Sequence, residues 1–351
     1  MFFDGLSSED TFRLQVLLAQ NLKAVRLDEG TLVLHALTDQ GEANIPLAPN
    51  CKADKYLRLV RELLSGHALG SPGGYPVHLS RWTRHGQMEG LNLGKLLLTG
   101  EPEAVLAVVH SPALTDELAR YAWWTQPTIE NARLMLRREA VARGDMGRVL
   151  AEFLAEHLPF LQDDHLGIMD TVAVLIYSQA LSPERLEATW KKGGRSNTHY
   201  VAFLEMRAGQ LPAELPPHPD YAGVCGGLAD SPLCKALSGQ GQTFLSAAAE
   251  VLERPETQEV VSRTLNAIGR YFGPLDGHIH VDPAQSARHE AAERLVRCSD
   301  RDVSLIFTRS TAIGSLMRRK IEPFVAPVLA DIKTLLPENK TGARRRPIRQ
   351  F

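Results

Sequence analysis

One stretch limits the possible folds more than any other. After Asp145, the residues Met146, Val149, Leu150, Phe153, Leu154, His157 and Leu158 keep the i, i+3, i+4, i+7 spacing of a helix with one buried face. Asp145 reads as its cap, and Pro159 stops it. The same grammar runs on either side. Pro102 to His110 is short and apolar, Ser111-Pro112 breaks it, and Thr115-Asp116 starts a helix ending near Trp124. Thr125 with Pro127 opens the next, with the stripe Ile129, Ala132, Leu136 and Ala140. A segment near Asp164 to Ala180 is apolar over Val172 to Ile176 and is expected to be buried on most sides. Ser182-Pro183 begins another that stops before Gly193-Gly194, and Asn197 to Arg207 is one more. Helices joined by such short turns lie antiparallel and bury their stripes on each other. With no fixed sequence period, the prediction is an irregular array that is HEAT-like only in shape.

The flanks differ. Ser7 to Asp10 reads as a helix start, and Leu14, Leu17, Leu18 and Leu22 continue it. Ala24–Leu27, Thr31–Leu37 and Ala43–Leu47 then look like short strands, separated by the turn residues Asp28-Glu29-Gly30 and Asp39-Gln40-Gly41. A helix from Ala53 to Leu64 closes the unit. The expected fold is mainly α. A small α+β domain with a β-meander occupies 1–66, a breaker-rich linker or loop 67–90, the helical array 91–211, and an irregular Pro- and Gly-rich loop 212–242. C-terminal helices follow over 243–338, at Thr243–Leu252, Thr257–Phe272, Asp282-Pro283 to Cys298, and Arg301–Leu336 with interruptions at Pro323 and Pro327. A basic tail, 339–351, has too little apolar content to fold.

Composition narrows the function classes. A net charge of -2 over 351 residues gives no global attraction to nucleic acid or to anionic lipid. The longest apolar run, Val172 to Tyr177 with its flanks, is too short to span a bilayer. The start, Met1-Phe2-Phe3-Asp4, lacks the basic and apolar regions of a signal peptide, and four scattered cysteines suit a reducing compartment. The expected location is the cytoplasm.

Candidate chemistry is sparse. If extended, Asp276-Gly277-His278-Ile279-His280-Val281-Asp282 places Asp276, His278, His280 and Asp282 on one face as metal ligands; the plainer reading is a turn at Asp276-Gly277 and a helix cap at Asp282. Asp163-Asp164-His165 near His157 and Asp170 offers mixed ligands, set against Asp164 as a cap and His157 on a core-facing stripe. Cys225 and Cys234, close together in a Gly-rich loop, form a candidate redox or metal pair. Arg81-Trp82-Thr83-Arg84-His85 and the tail cations Arg344, Arg345, Arg346 and Arg349 could meet a phosphate backbone or an acidic partner, or be solvated charge. Gly90 to Leu96 fails as a phosphate loop, being one residue short with Leu96 where a hydroxyl is needed. Trp123, Trp124 and Trp190 read as packing anchors.

Three central strings resemble the DsrS family: Gly100 to Val109 (GEPEAVLAVV), Tyr121 to Leu136 (YAWWTQPTIENARLML) and Gly147 to Phe160 (GRVLAEFLAEHLPF). Glu184 to Glu205, around KKGGRSN at Lys191–Asn197, resembles it too, so the likeness covers about residues 90–205. The resemblance implies a cytoplasmic accessory protein of sulfur-oxidising bacteria, encoded beside the reverse-acting dissimilatory sulfite reductase system. It carries over no reaction and no catalytic residue. The expected function is that of a non-enzymatic accessory protein with a protein partner, no cofactor and no membrane contact. The rivals are a metal- or thiol-dependent enzyme using His278 and His280 or Cys225 and Cys234, and an RNA-binding regulator.

Overall fold

The structure is a computed structural model describing residues 5–70, 93–161, 164–225, 231–273 and 286–337. The chain divides into two compact units, 1–154 and 155–351.

The first unit opens with α1 (Ser8–Leu18), where the Ser7 hydroxyl accepts the Asp10 amide at 3.2 Å. Helix α1 stops before Leu22, which instead begins β1 (Leu22–Asp28), followed by β2 (Val33–Thr38) and β3 (Gly41–Pro46). They form an antiparallel meander in the order β1-β2-β3, with Val25 opposite Ala36 and Leu34 opposite Ile45. The first turn is held by Asp28, whose Oδ1 accepts the amides of Gly30 and Thr31. One sheet face (Val25, Leu34, Ala36 and Ile45) packs on α1 and on α2 (Ala53–Leu69), which contributes Tyr56, Leu57, Val60 and Leu64. Within this core the Tyr56 hydroxyl donates to the buried Asp10 carboxyl, which also accepts the Ala48 amide at 2.8 Å. The other face meets a helix end: Arg26 stacks on Trp124 at 4.9 Å, and Trp124 Nε1 donates to Glu42 at 2.6 Å.

Helices α3 (Leu93–Leu96), α4 (Pro102–His110), α5 (Asp116–Thr125), α6 (Ile129–Leu136), α7 (Glu139–Ala142) and α8 (Asp145–His157) follow. The stripe expected as one helix over Ile129–Ala140 is two, because Arg138 is extended between α6 and α7. Asp145 is not the cap of α8. It is the first helical residue, and the amides of Asp145 and Met146 are instead held by the Asp116 carboxylate from α5.

The second unit is helical. Helix α9 (His165–Ser178) is capped by Asp164, α10 (Pro183–Lys192) by Ser182, and α11 (Thr198–Met206) follows. Then come α12 (Tyr221–Val224), α13 (Pro232–Leu237), α14 (Gly239–Glu253), α15 (Gln258–Phe272), α16 (Ser286–Val296), α17 (Arg301–Arg309) and α18 (Gly314–Leu335). The stretch read as irregular thus holds two short helices and the start of α14. Helix α11 is the hub: Val201, Ala202, Phe203 and Leu204 are buried, and it packs on α9, α10, α14 and α15. Trp190 from α10 locks onto it, 4.5 Å from the Tyr200 ring and 5.2 Å from Phe203. Gly241 lets α14 turn tightly over α13, since a Cβ there would lie 1.9 Å from the Lys235 carbonyl oxygen.

The long C-terminal helix breaks elsewhere than expected. Pro323 and Pro327 both lie inside α18, and the interruption is Ser310–Ile313. Both prolines are exposed, so the carbonyls they leave without donors, on Arg319 and Pro323, can be satisfied by water. At the real break, Gln258 Nε2 donates to the carbonyls of Ser310 and Ala312 at 2.6 and 3.0 Å, giving that loop partners a helix would have supplied.

Candidate functional site

Most side chains that the sequence singles out lie outside the described residues: Asp276, His278, His280 and Asp282; Arg81, Trp82 and Arg84; and Arg344, Arg345 and Arg346. Asp163 does too. The rest of that acidic and histidine group is dispersed into structural work. Asp164 Oδ1 accepts the Gly167 amide at 2.8 Å, His165 faces Glu256 at 3.0 Å, and Asp170 pairs with Arg263 at 2.8 Å. Arg263 also grips Glu205, so one guanidinium from α15 fastens α9 and α11 together. Among the described residues, no group of three or more His, Cys, Asp or Glu is placed to hold a metal. Nor, among them, is any helix long and apolar enough to cross a membrane.

Two other features draw residues together. The first is a groove of about 730 Å³ between the end of α9, the start of α10 and the end of α11. Its shape follows from a turn. Gln179 takes a left-handed conformation (φ 53°), its amide bonds back to Ile176, and Ser182 with Pro183 restarts the chain as α10. Ile176 is buried, as the apolar run implies, but the next residue turns outward: Tyr177 is 55% exposed. Met206, which also lines the groove, is 43% exposed. Leu181 and Leu186 line it too, together with the polar groups of Gln179, Glu187, Arg207 and Gln210. Glu187 is already paired with Lys191 at 2.8 Å. The wall therefore offers adaptable apolar surface with a few directional polar groups, not converging acid and base.

The second feature begins where the groove ends. From Leu211 to Cys225 the chain runs as a strap across α13 and α14. Gln240 exchanges hydrogen bonds with the Leu211 backbone, Thr243 Oγ1 accepts the Leu215 amide at 2.8 Å, and the His218 amide donates to Leu237 at 2.9 Å. Arg288 of α16 pairs with Asp220. His218 is buried, and that burial together with Arg288 holds its pKa below the usual histidine value despite Asp220. The strap ends in a disulfide, Cys225 to Cys234, with Cα atoms 5.5 Å apart. The pair singled out in the sequence is thus brought together, and as a disulfide it departs from the unbonded thiols expected of a reducing compartment. Cys51 and Cys298 are unbonded, and burial pushes the Cys298 thiol up to about 12.

The groove was not legible beforehand. Tyr177 reads as the end of a buried run, whereas it is still within α9 and lies on that helix's outer face with Leu166, which is also exposed. Comparison of the chain with family models, with curated proteins and with solved structures gave no match.

Proposed function

We propose that this chain is a cytoplasmic, non-enzymatic accessory protein that docks a protein partner, with the groove at α9, α10 and α11 as the docking surface. The occupant that fits is an amphipathic helical segment of the partner, laying large aliphatic side chains against Tyr177 and Met206. The observation that carries this reading is that two exposed side chains, Tyr177 and Met206, line one groove. Tyr supplies a rigid amphipathic contact, and Met repacks around irregular anchors. Of the charged side chains lining the groove, Glu187 is paired with Lys191 on the same helix. The resemblance to the DsrS family supplies the setting, bacterial sulfur oxidation, and the partner class, a component of the reverse-acting sulfite reductase machinery.

The test compares the full chain with a Tyr177→Ala, Met206→Lys double variant as bait in native lysate of a sulfur-oxidising bacterium. The expected result is a stoichiometric sulfite-reductase component on the wild type. Binding should weaken about 30-fold in the variant, corresponding to ~2 kcal/mol lost at an interface anchor. Both positions are exposed, so the variant's thermal midpoint should be unchanged. Failure to recover such a component across several salt concentrations, or equal binding by the variant, would remove this reading.

A further inference from the structure

We propose that the Cys225–Cys234 disulfide is a site of thiol–disulfide exchange that takes a dithiol reductant as co-substrate and latches the strap Leu211–Cys225 onto the helices beneath it. This goes beyond partner docking and does not depend on it.

The two sulfurs sit in unlike surroundings. Cys234 is 3% exposed, on a helix whose Leu233, Ala236 and Leu237 are buried and which packs on α14 and α16. Cys225 is half-buried, following Ala222 and Gly223, which are exposed. Cys225 is the less buried of the two residues, so the attack proposed for an incoming thiolate is on its Sγ rather than on that of Cys234. The thiolate's lone pair forms a new S–S bond to Cys225. The Cys225–Cys234 bond breaks, and its electron pair leaves with Cys234, which takes a proton from solvent. The second thiol of the reductant then attacks the mixed disulfide and releases Cys225 as a thiol. The balance is one protein disulfide and one dithiol in, two protein thiols and one cyclic disulfide out.

The bond is badly placed for a permanent staple. A sequence separation of nine closes a short loop, which removes less chain entropy than a long-range link. It is well placed for a latch. Upstream of Cys225, the strap exposes Ala213, Glu214, Pro216, Pro217 and Pro219 and buries only Leu211 and His218. Its other ties are a few hydrogen bonds and the Arg288–Asp220 pair. With the far end released, those ties hold a segment with little apolar burial of its own.

The experiment uses the oxidised full chain, unliganded and without denaturant, equilibrated in buffers of reduced and oxidised dithiothreitol. Acid quench, alkylation and peptide mass analysis follow. Cys225 and Cys234 should become alkylated together in one two-electron transition, and a glutathione pulse should leave its adduct on Cys225. Amide exchange over 211–225 should rise at least about tenfold on reduction, while peptides of α14 and α15 stay unchanged. The Cys225→Ser, Cys234→Ser variant should show the reduced exchange pattern in any buffer; if it does not fold, the reduced wild type carries the comparison. Reduction that needs denaturant, a glutathione adduct on Cys234, or unaltered exchange over the strap would each overturn the proposal.

Discussion

His199 shows how one side chain ties this fold to pH. It lies on the buried face of α11, its Nδ1 bonds to the Ser196 carbonyl at 3.2 Å, and its Nε2 has no hydrogen-bond partner among the described residues. A proton on Nε2 would sit without an acceptor in a dry place. Burial therefore lowers the pKa below 6.5, Lys192 adds to the effect, and the Ser196 bond opposes it. His218 in the strap is lowered for the same first reason. The sign follows from proton counting. Below about pH 6.5 the unfolded chain binds protons that the folded chain refuses, so stability is steady above that value and declines as pH falls through it. The thermal midpoint should drop between about pH 7 and pH 5.5, and His199→Gln, which keeps a donor for Ser196, should flatten the drop. Identical pH profiles for variant and wild type would show that His199 is not the source.

At the scale of elements, α18 departs most from what its sequence suggests. Two prolines four residues apart would ordinarily end a helix, yet both sit on its solvent face, where the orphaned carbonyls reach water. Restoring an amide should then help. Pro323→Ala is expected to raise the stability of the second unit by ~1–2 kcal/mol, from regaining a helical hydrogen bond less the looser unfolded chain. Urea denaturation measures it, and an unchanged or lowered midpoint would mean that the proline ring packs usefully. The existence of α18 was legible from its apolar spacing, but the position of its break was not, because Gln258 fixes that break from 52 residues away. The cap of α8 failed for the same reason: Asp116, from another helix, outbids the local Asp145. Caps set by the adjacent residue, as at Ser7, Asp164 and Ser182, were readable. The groove follows the same division. Its helices could be read, while the turn from α9 into α10 depends on a left-handed Gln179 that residue type does not announce.

Across the whole molecule, the boundary between the two units falls inside α8, between Leu154 and Ala155, so one continuous helix belongs to both. Each unit nevertheless has a core of its own. In the first, Leu14, Val25, Leu34, Tyr56 and Leu64 close the meander against its helices; in the second, Met169, Val201, Val251 and Val260 join α9, α11, α14 and α15. Cores that separate imply cooperative units that open independently. Tyr56→Phe tests this. It removes the hydroxyl that donates to Asp10, leaving a buried carboxyl oxygen with only the Ala48 amide, at a cost of ~1–3 kcal/mol. Peptide-resolved amide exchange should speed up throughout the sheet and α2 while α11 and α15 keep their wild-type protection. A matching acceleration in α11 would mean that the two cores unfold as one, with the shared helix transmitting the loss. In that case strain at the groove and strain at the meander would have to be counted together.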